Sequence, residues 1–289
     1  MLLAIAGIIS CTAVLSQEQA RHEASVWGAV GLSTLKTDTK VGDNKSGIGP
    51  SFGVGYNYFF TDQWSIGSGL ELSLYNAKTT INSVSDRYDS NDGEYDFELR
   101  TTISNYEEKQ NTMYLNIPLV AQFQMPVMGE NQFYASGGFK FGIPVSKKYN
   151  VSNATIKNAG YYPQWSSQNG RELVMDSQEF MGFGTFRRSD VKGDLDLNVS
   201  YMLSLEAGMK WKIGETTALY TGAYFDYGLN DINKDANKRL IEYNKVNPAE
   251  FINNSALLSQ YTVDGKTEKL MDKIIPMAIG VKFRFAFGL

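Results

Sequence analysis

The chain has 289 residues, a formal net charge of −4, one His and one Cys. That length allows one or two domains, the mild acidity leaves no nucleic-acid footprint, and a single Cys excludes a disulfide framework or a cysteine metal site within one chain. Aromatics are plentiful, 17 Tyr and 16 Phe, beside 27 Gly.

The opening stretch MLLAIAGIISCTAVLSQ is an apolar run ending in small residues. It reads as a secretory signal cleaved after Ser16, with residues 17–289 as one mature domain. IISC, ending at Cys11, also loosely fits a lipoprotein cleavage site. Against that, the apolar run continues as TAVLS, which makes Cys11 an ordinary member of it. Past residue 17 no apolar run approaches the roughly 20 residues a membrane helix needs. The mature chain is therefore soluble or crosses a membrane as a closed β-barrel, the other fold that satisfies every backbone polar group in lipid.

Eight segments alternate with period two: residues 26–35, 48–60, 64–76, 112–125, 132–145, 198–213, 217–231 and about 274–287. In the second, Ile48, Phe52, Val54, Tyr56 and Tyr58 share one face, and Gly49, Ser51, Gly53, Gly55 and Asn57 share the other. The sixth sets Leu203, Leu205, Ala207, Met209 and Trp211 against Ser204, Glu206, Gly208 and Lys210. The last sets Ile279, Val281, Phe283 and Phe285 against Gly280, Lys282 and Arg284. A soluble barrel would turn its apolar face inward. Here the other face is Gly- and Ser-rich, which suits the cramped interior of eight strands. TDQ, PVMGEN and GET follow strands two, four and six as tight turns, whereas about 11, 35, 52 and 42 residues follow strands one, three, five and seven. Short periplasmic turns opposite long extracellular loops predict an all-β, eight-stranded antiparallel up-and-down transmembrane β-barrel of the outer membrane. Trp27, Tyr58, Phe59, Phe60, Trp64, Trp211 and Phe287 gather at the periplasmic ends and read as an interfacial girdle.

This phasing points Glu71, Lys140, Glu206, Lys210, Lys212, Asp226, Lys282 and Arg284 into the lumen. Unpaired charges there would cost several kcal/mol each, so they are expected to pair, with Glu71 and Glu206 meeting Lys140, Lys282 or Arg284. Such a network forms either a narrow ion or proton path or a polar core that fills and stiffens the barrel, and the second reading is favoured. The one His, His22, precedes the first strand, far from the outer loops, so no nucleophile–His pair can form there. No enzyme is expected.

Within the loops, residues 77–89 and 95–106 read as strands three and four extended past the membrane into a hairpin closing at DSNDGE, 89–94. DINKDANKRLIE places Asp231, Asn233, Asp235, Asn237, Arg239 and Glu242 at the ligand spacing of an EF-hand calcium loop, with Ala236 where that loop wants Gly. The alternative is a short loop helix capped by Asn233 or Asp235. Apart from loop calcium, no cofactor is expected. YYPQW offers Tyr161, Tyr162 and Trp165 as an aromatic patch, either for stacking on a sugar or seating a protein, or as the small core of a long loop.

YLNIPLVAQF (114–123), YFDYGLNDI (224–232) and IGVKFRF (279–285) resemble the small outer-membrane β-barrel proteins of Bacteroidetes, a group that includes PorT-like proteins. The resemblance implies an outer-membrane location, contact with outer-membrane lipid and lipopolysaccharide, and insertion by the barrel-assembly machinery. It also implies a possible accessory role in a secretion or transport complex. Members often carry an acid where Asn116 stands, and this chain continues past the usual aromatic terminus at Phe285. A surface-binding or envelope-structural role through the loops is the reading the residues favour.

Overall fold

The computed structural model describes residues 21–39, 41–169, 172–234 and 237–289; residues 1–16, read above as a signal, lie outside them. Eight long strands form the frame: β1 His22–Thr39, β2 Gly42–Phe59, β3 Trp64–Asn91, β4 Asp96–Met128, β5 Asn131–Tyr161, β6 Ser200–Lys212, β7 Thr217–Gly228 and β8 Met271–Gly288. Each pairs antiparallel with its sequence neighbour, and β1 pairs with β8. The ring is closed, so the barrel has no free sheet edge.

Exposed Val30, Phe52, Leu72, Leu119, Leu205, Val281 and Phe283 form the outer apolar band, and buried Ser51, Ser65, Ser73, Asn116, Gln122 and Ser204 face inward. The alternation reads correctly because the register is over-determined: a slip of one residue would turn every charge into lipid.

Higher up, the two faces exchange character. On β3 the even residues Leu70, Leu72 and Leu74 point outward, then Asn76, Lys78 and Thr80 follow in the same phase. The odd, inward residues change from Glu71 and Ser73 to Tyr75, Ala77 and Ile81. The reason is the solvent outside the wall. Lipid surrounds the lower half, so apolar side chains point out; water surrounds the upper half, so they point in. Around Asn105, held at φ 52°, the inward phase of β4 shifts from Tyr106, Glu108 and Gln110 to Ile103, Thr101 and Leu99.

β3, β4 and β5 have 28, 33 and 31 residues, whereas a barrel strand needs only about 9–11 to cross. The excess forms a folded extracellular cap. The predicted β3–β4 hairpin is present and closes between Asn91 and Asp96. Residues 36–39 and 42–47, expected as a loop, are strand. Past Ser33 the end of β1 goes on pairing with β8 as far as Thr39, and the start of β2 pairs with β3 from Gly42, whereas the β1–β2 pairing itself runs from His22–Tyr58 to Ser33–Gly47. Gly184–Arg188 and Val191–Asp194 pair back onto β5. Leu240, Phe251, Leu257, Leu258, Tyr261 and Met271, from the β7–β8 connection and the start of β8, pack against Ile81, Ile103, Val151 and Ile156 as one core. The short helix expected after Lys234 is not formed by the described residues. Lys238–Arg239 pairs with Ser259 and Gln260, and Ile241–Glu242 pairs with Ile252 and Asn253.

Candidate functional site

The lumen begins at the periplasmic rim with Glu23, whose carboxylate meets Lys210 at 3.1 Å and accepts from the Tyr220 hydroxyl at 2.9 Å. Arg284 lies over the Tyr220 ring at 3.9 Å and donates to Gln122 at 2.6 Å. Tyr134 packs edge-on against Tyr220 and donates to Glu206 at 2.7 Å. Lys282 pairs with Glu206 at 2.8 Å and sits 4.6 Å above the Trp27 ring. Further up, Lys140 lies 2.8 Å from both Glu71 and Asp226. Trp27 Nε1 donates to the other oxygen of Glu71 at 2.9 Å.

Sequence reading placed Glu71, Lys140, Glu206, Lys210, Asp226, Lys282 and Arg284 in the interior. Lys140 joins Glu71 to Asp226, and Glu206 meets Lys282, whereas Lys210 pairs with Glu23 and Arg284 reaches Gln122 and the Tyr220 ring instead of a carboxylate. Four residues lie elsewhere than the sequence suggested. Lys212 is at the rim, half-exposed and paired with Glu130 at 2.7 Å, because β6 leaves the barrel there. Glu23 is buried inside; it was missed because it precedes the first recognised alternating segment. With Glu23 in and Lys212 out, four interior carboxylates, Glu23, Glu71, Glu206 and Asp226, balance four cations, Lys140, Lys210, Lys282 and Arg284. Trp27 and Phe59, read as girdle residues, also point inward and are buried. A Cβ added at Gly53 would lie 2.3 Å from the Trp27 ring, and one at Gly55 2.7 Å from it. These glycines make the space the indole fills.

Asn116 is buried beside this group, donating to Ser73 at 2.9 Å and facing Glu71 Oε1 at 3.4 Å. A carboxylate there would be a third acid around Lys140. The neutral amide keeps the balance.

Above Lys140 the interior changes to an aromatic layer. Tyr75 and Tyr114 meet edge-on at 5.8 Å, and the Tyr75 hydroxyl reaches Met202 Sδ at 3.3 Å. Both tyrosines belong to the cap core. Two acids are buried in the cap: Asp86, paired with Arg239 at 2.9 Å, and Glu108, which accepts from Tyr106 (2.5 Å), Ser255 (2.5 Å), Gln110 (2.8 Å) and the Ala256 amide (2.8 Å). Around Glu108 all the partners are neutral. Burial pushes its carboxyl pKa above the ordinary value despite these donors.

Of the aromatic patch, Tyr162 is fully buried and stacks on Trp165 at 4.8 Å. It joins Phe97, Leu99 and Phe183 in a small core at the tip. Tyr161 lies on the other side of the strand, with Arg100 4.2 Å over its ring. Of the calcium spacing, Asp235 lies outside the described residues. Asp231 Oδ1 is taken by the amides of Asn233 and Ile274, both at 2.9 Å, and Glu242 accepts from the Arg239 amide at 3.1 Å. Among the described residues no three acidic, His or Cys side chains converge on a metal position.

A closed ring of eight strands with a lipid-facing apolar band and a charged, packed interior defines a transmembrane β-barrel of the outer membrane. Residues 15–234 match the outer membrane protein beta-barrel domain, and the chain belongs to that family. Its location is the outer membrane. Among solved structures the chain is similar to Neisserial surface protein A, NspA, with 9% identity, 93% of this chain and 97% of that chain covered and a TM-score of 0.37. It is also similar to the outer membrane protein OprG from Pseudomonas aeruginosa, with 14% identity, 92% and 96% covered and a TM-score of 0.35. No curated protein sequence matches significantly.

Proposed function

We propose that the protein is a non-enzymatic surface protein whose working face is the rigid extracellular cap, with the membrane part a sealed anchor. The observation that carries this reading is the continuous filling of the interior. A charge-balanced network occupies the lower half and a hydrophobic core the upper half. Eight strands leave room for little else. His22, the one His in the chain, sits exposed at the periplasmic rim, hydrogen-bonded with Tyr56, and no His stands near the cap to activate a nucleophile.

What remains available is the outside of the tip. Phe180 is 75% exposed and Val246 95%. Their segments touch: a Cβ on Gly182 would lie 2.3 Å from the Pro248 carbonyl oxygen. Large apolar side chains held out from a folded support are what a partner surface offers.

The test is crosslinking and pull-down from intact cells with wild type and a Phe180→Asp, Val246→Asp variant, alongside planar-bilayer recordings. A discrete partner lost in the variant, with heat resistance unchanged and no steady conductance, is expected. Stable channels of reproducible size, or a partner captured equally by both proteins, would defeat the reading. Recovery of secretion or transport components by both proteins would favour instead the accessory role that the PorT-like resemblance implies.

A further inference from the structure

One row on the outer wall works against the stability of its own sheet. Lys45 on β2 stands directly opposite Lys78 on β3, and Lys78 stands directly opposite Lys109 on β4. The row continues through Asn150 on β5 to Lys192. All four lysines point outward. Asn44, next to Lys45, bonds inward to Thr34 and Thr79; Lys78 lies between buried Ala77 and Thr79, and Lys109 between buried Glu108 and Gln110. Lys192 is exposed. Lys148 adds a fifth cation one row lower, opposite Asn111 and Asp194. Like charges directly opposite on adjacent strands are destabilising. Nearby carboxylates offset this in part: Glu107 pairs with Lys78 at 2.9 Å, Asp194 faces Lys148, and Asp43 lies two residues from Lys45. Asp196 is taken by Lys147 and Lys234. Among the described residues Lys45, Lys109 and Lys192 form no ion pair, and the charge of Lys109 reaches Glu107, which is already paired with Lys78.

The depth of the row is informative. Lys78 lies four residues beyond Leu74, the last apolar outward residue of β3. That is about 13 Å along the strand at ~3.3 Å per residue, or roughly 10 Å along the membrane normal for a strand tilted ~40°. The lysines thus sit at the headgroup level of the outer leaflet, where long side chains reach down from polar wall to lipid. Lys109, Lys148 and Lys192 line a shallow groove of about 370 Å³.

We propose that this wall, spanning β2 to β5, is a binding site for the phosphorylated headgroup of an outer-leaflet glycolipid, lipopolysaccharide in this membrane. Multiple lysines present the point charges that phosphate oxygens accept. A bound phosphate relieves the repulsion within the row. The site lies on the barrel's flank and does not depend on what the tip binds.

The test is thermal unfolding of the purified, folded protein titrated with lipopolysaccharide, with the same lipid after phosphatase removal of its lipid A phosphates, and with inorganic phosphate. The variants are Lys78→Gln/Lys109→Gln/Lys192→Gln and, in the opposite sense, Glu107→Gln. Native lipopolysaccharide should raise the wild-type midpoint. The triple variant should need at least tenfold more lipid for the same shift, and Glu107→Gln should need less. These side chains are exposed, and heat-modifiable migration on semi-native gels checks that each barrel is folded. An equal response of wild type and triple variant overturns the proposal. So does an equal response to dephosphorylated lipid, which would mean that the acyl chains alone bind, or to inorganic phosphate, which would mean that the site takes the free ion.

Discussion

Lys140 Nζ lies 2.8 Å from a carboxylate oxygen of Glu71 and 2.8 Å from one of Asp226. One ammonium thus holds together β3, β5 and β7 across the lumen. Removing a single partner from a buried ion pair leaves the other charge stranded, at about 3–5 kcal/mol. Lys140→Met strands two acids and is expected to lower the barrel's heat resistance more than Glu71→Leu does. Lys140→Met combined with Glu71→Leu and Asp226→Leu should recover much of the loss. Semi-native gel migration against temperature measures both effects, and additive losses across the three sites would show that the charges do not interact.

A similar cycle applies to Glu206 and Lys282, 2.8 Å apart. Glu206→Leu alone should destabilise the barrel, and adding Lys282→Met should restore part of the loss. Tyr134, which donates to Glu206, loses that acceptor in both variants and leaves a buried hydroxyl unpaired, so the recovery should be incomplete. A silent Glu206→Leu would mean the lumen is wet enough to solvate a stranded Lys282.

Trp27 and the glycines opposite give a steric prediction. A side chain at Gly53 would overlap the indole ring at 2.3 Å. Overpacking a filled interior costs typically 1–3 kcal/mol. Gly53→Val should lower folding yield and shift tryptophan fluorescence as the ring is displaced. Gly53→Val with Trp27→Ala should regain yield, because the smaller residue vacates that volume. If the single variant folds with an unchanged spectrum, the indole is not where the structure puts it.

The strands and their phase were legible because lipid and a narrow lumen punish every wrong register, so the alternation in residues such as Leu203–Trp211 is nearly unbroken. Trp27 was misread because a Trp near a strand end fits the girdle pattern. Its parity with buried Ser25 and Ala29, and the run of glycines on the neighbouring strand, were the cues to an inward ring. Glu23 continues that parity backward. The cap was far less legible. Lys238–Arg239 forms strand only by pairing with residues about twenty positions later, and no local pattern announces such a pairing. The lysine row was likewise invisible, because its members are neighbours only once the β2–β5 register is fixed.

Glu108 lies inside the cap, above the apolar band. It has four hydrogen-bond donors and, among the described residues, no cation partner. Burial raises its pKa in the folded cap above the ordinary 4.5. The unfolded cap therefore releases this proton at lower pH than the folded one. The stabilising contribution of the protonated group is fully present below the unfolded value and is lost as pH rises through the folded value. Hydrogen exchange at the Ala256 and Leu257 amides, which report on the segment docked at Glu108, should be slower near pH 5 than near pH 8 once the intrinsic pH dependence of exchange is removed. Glu108→Gln keeps a neutral acceptor in the same place and should abolish that difference. Its protection at pH 8 should equal or exceed that of wild type. Equal slopes in the two proteins would mean that another group sets the pH response of the cap. Faster exchange in wild type at pH 5 than at pH 8 would mean that the carboxylate, held by its four donors, is the stable form.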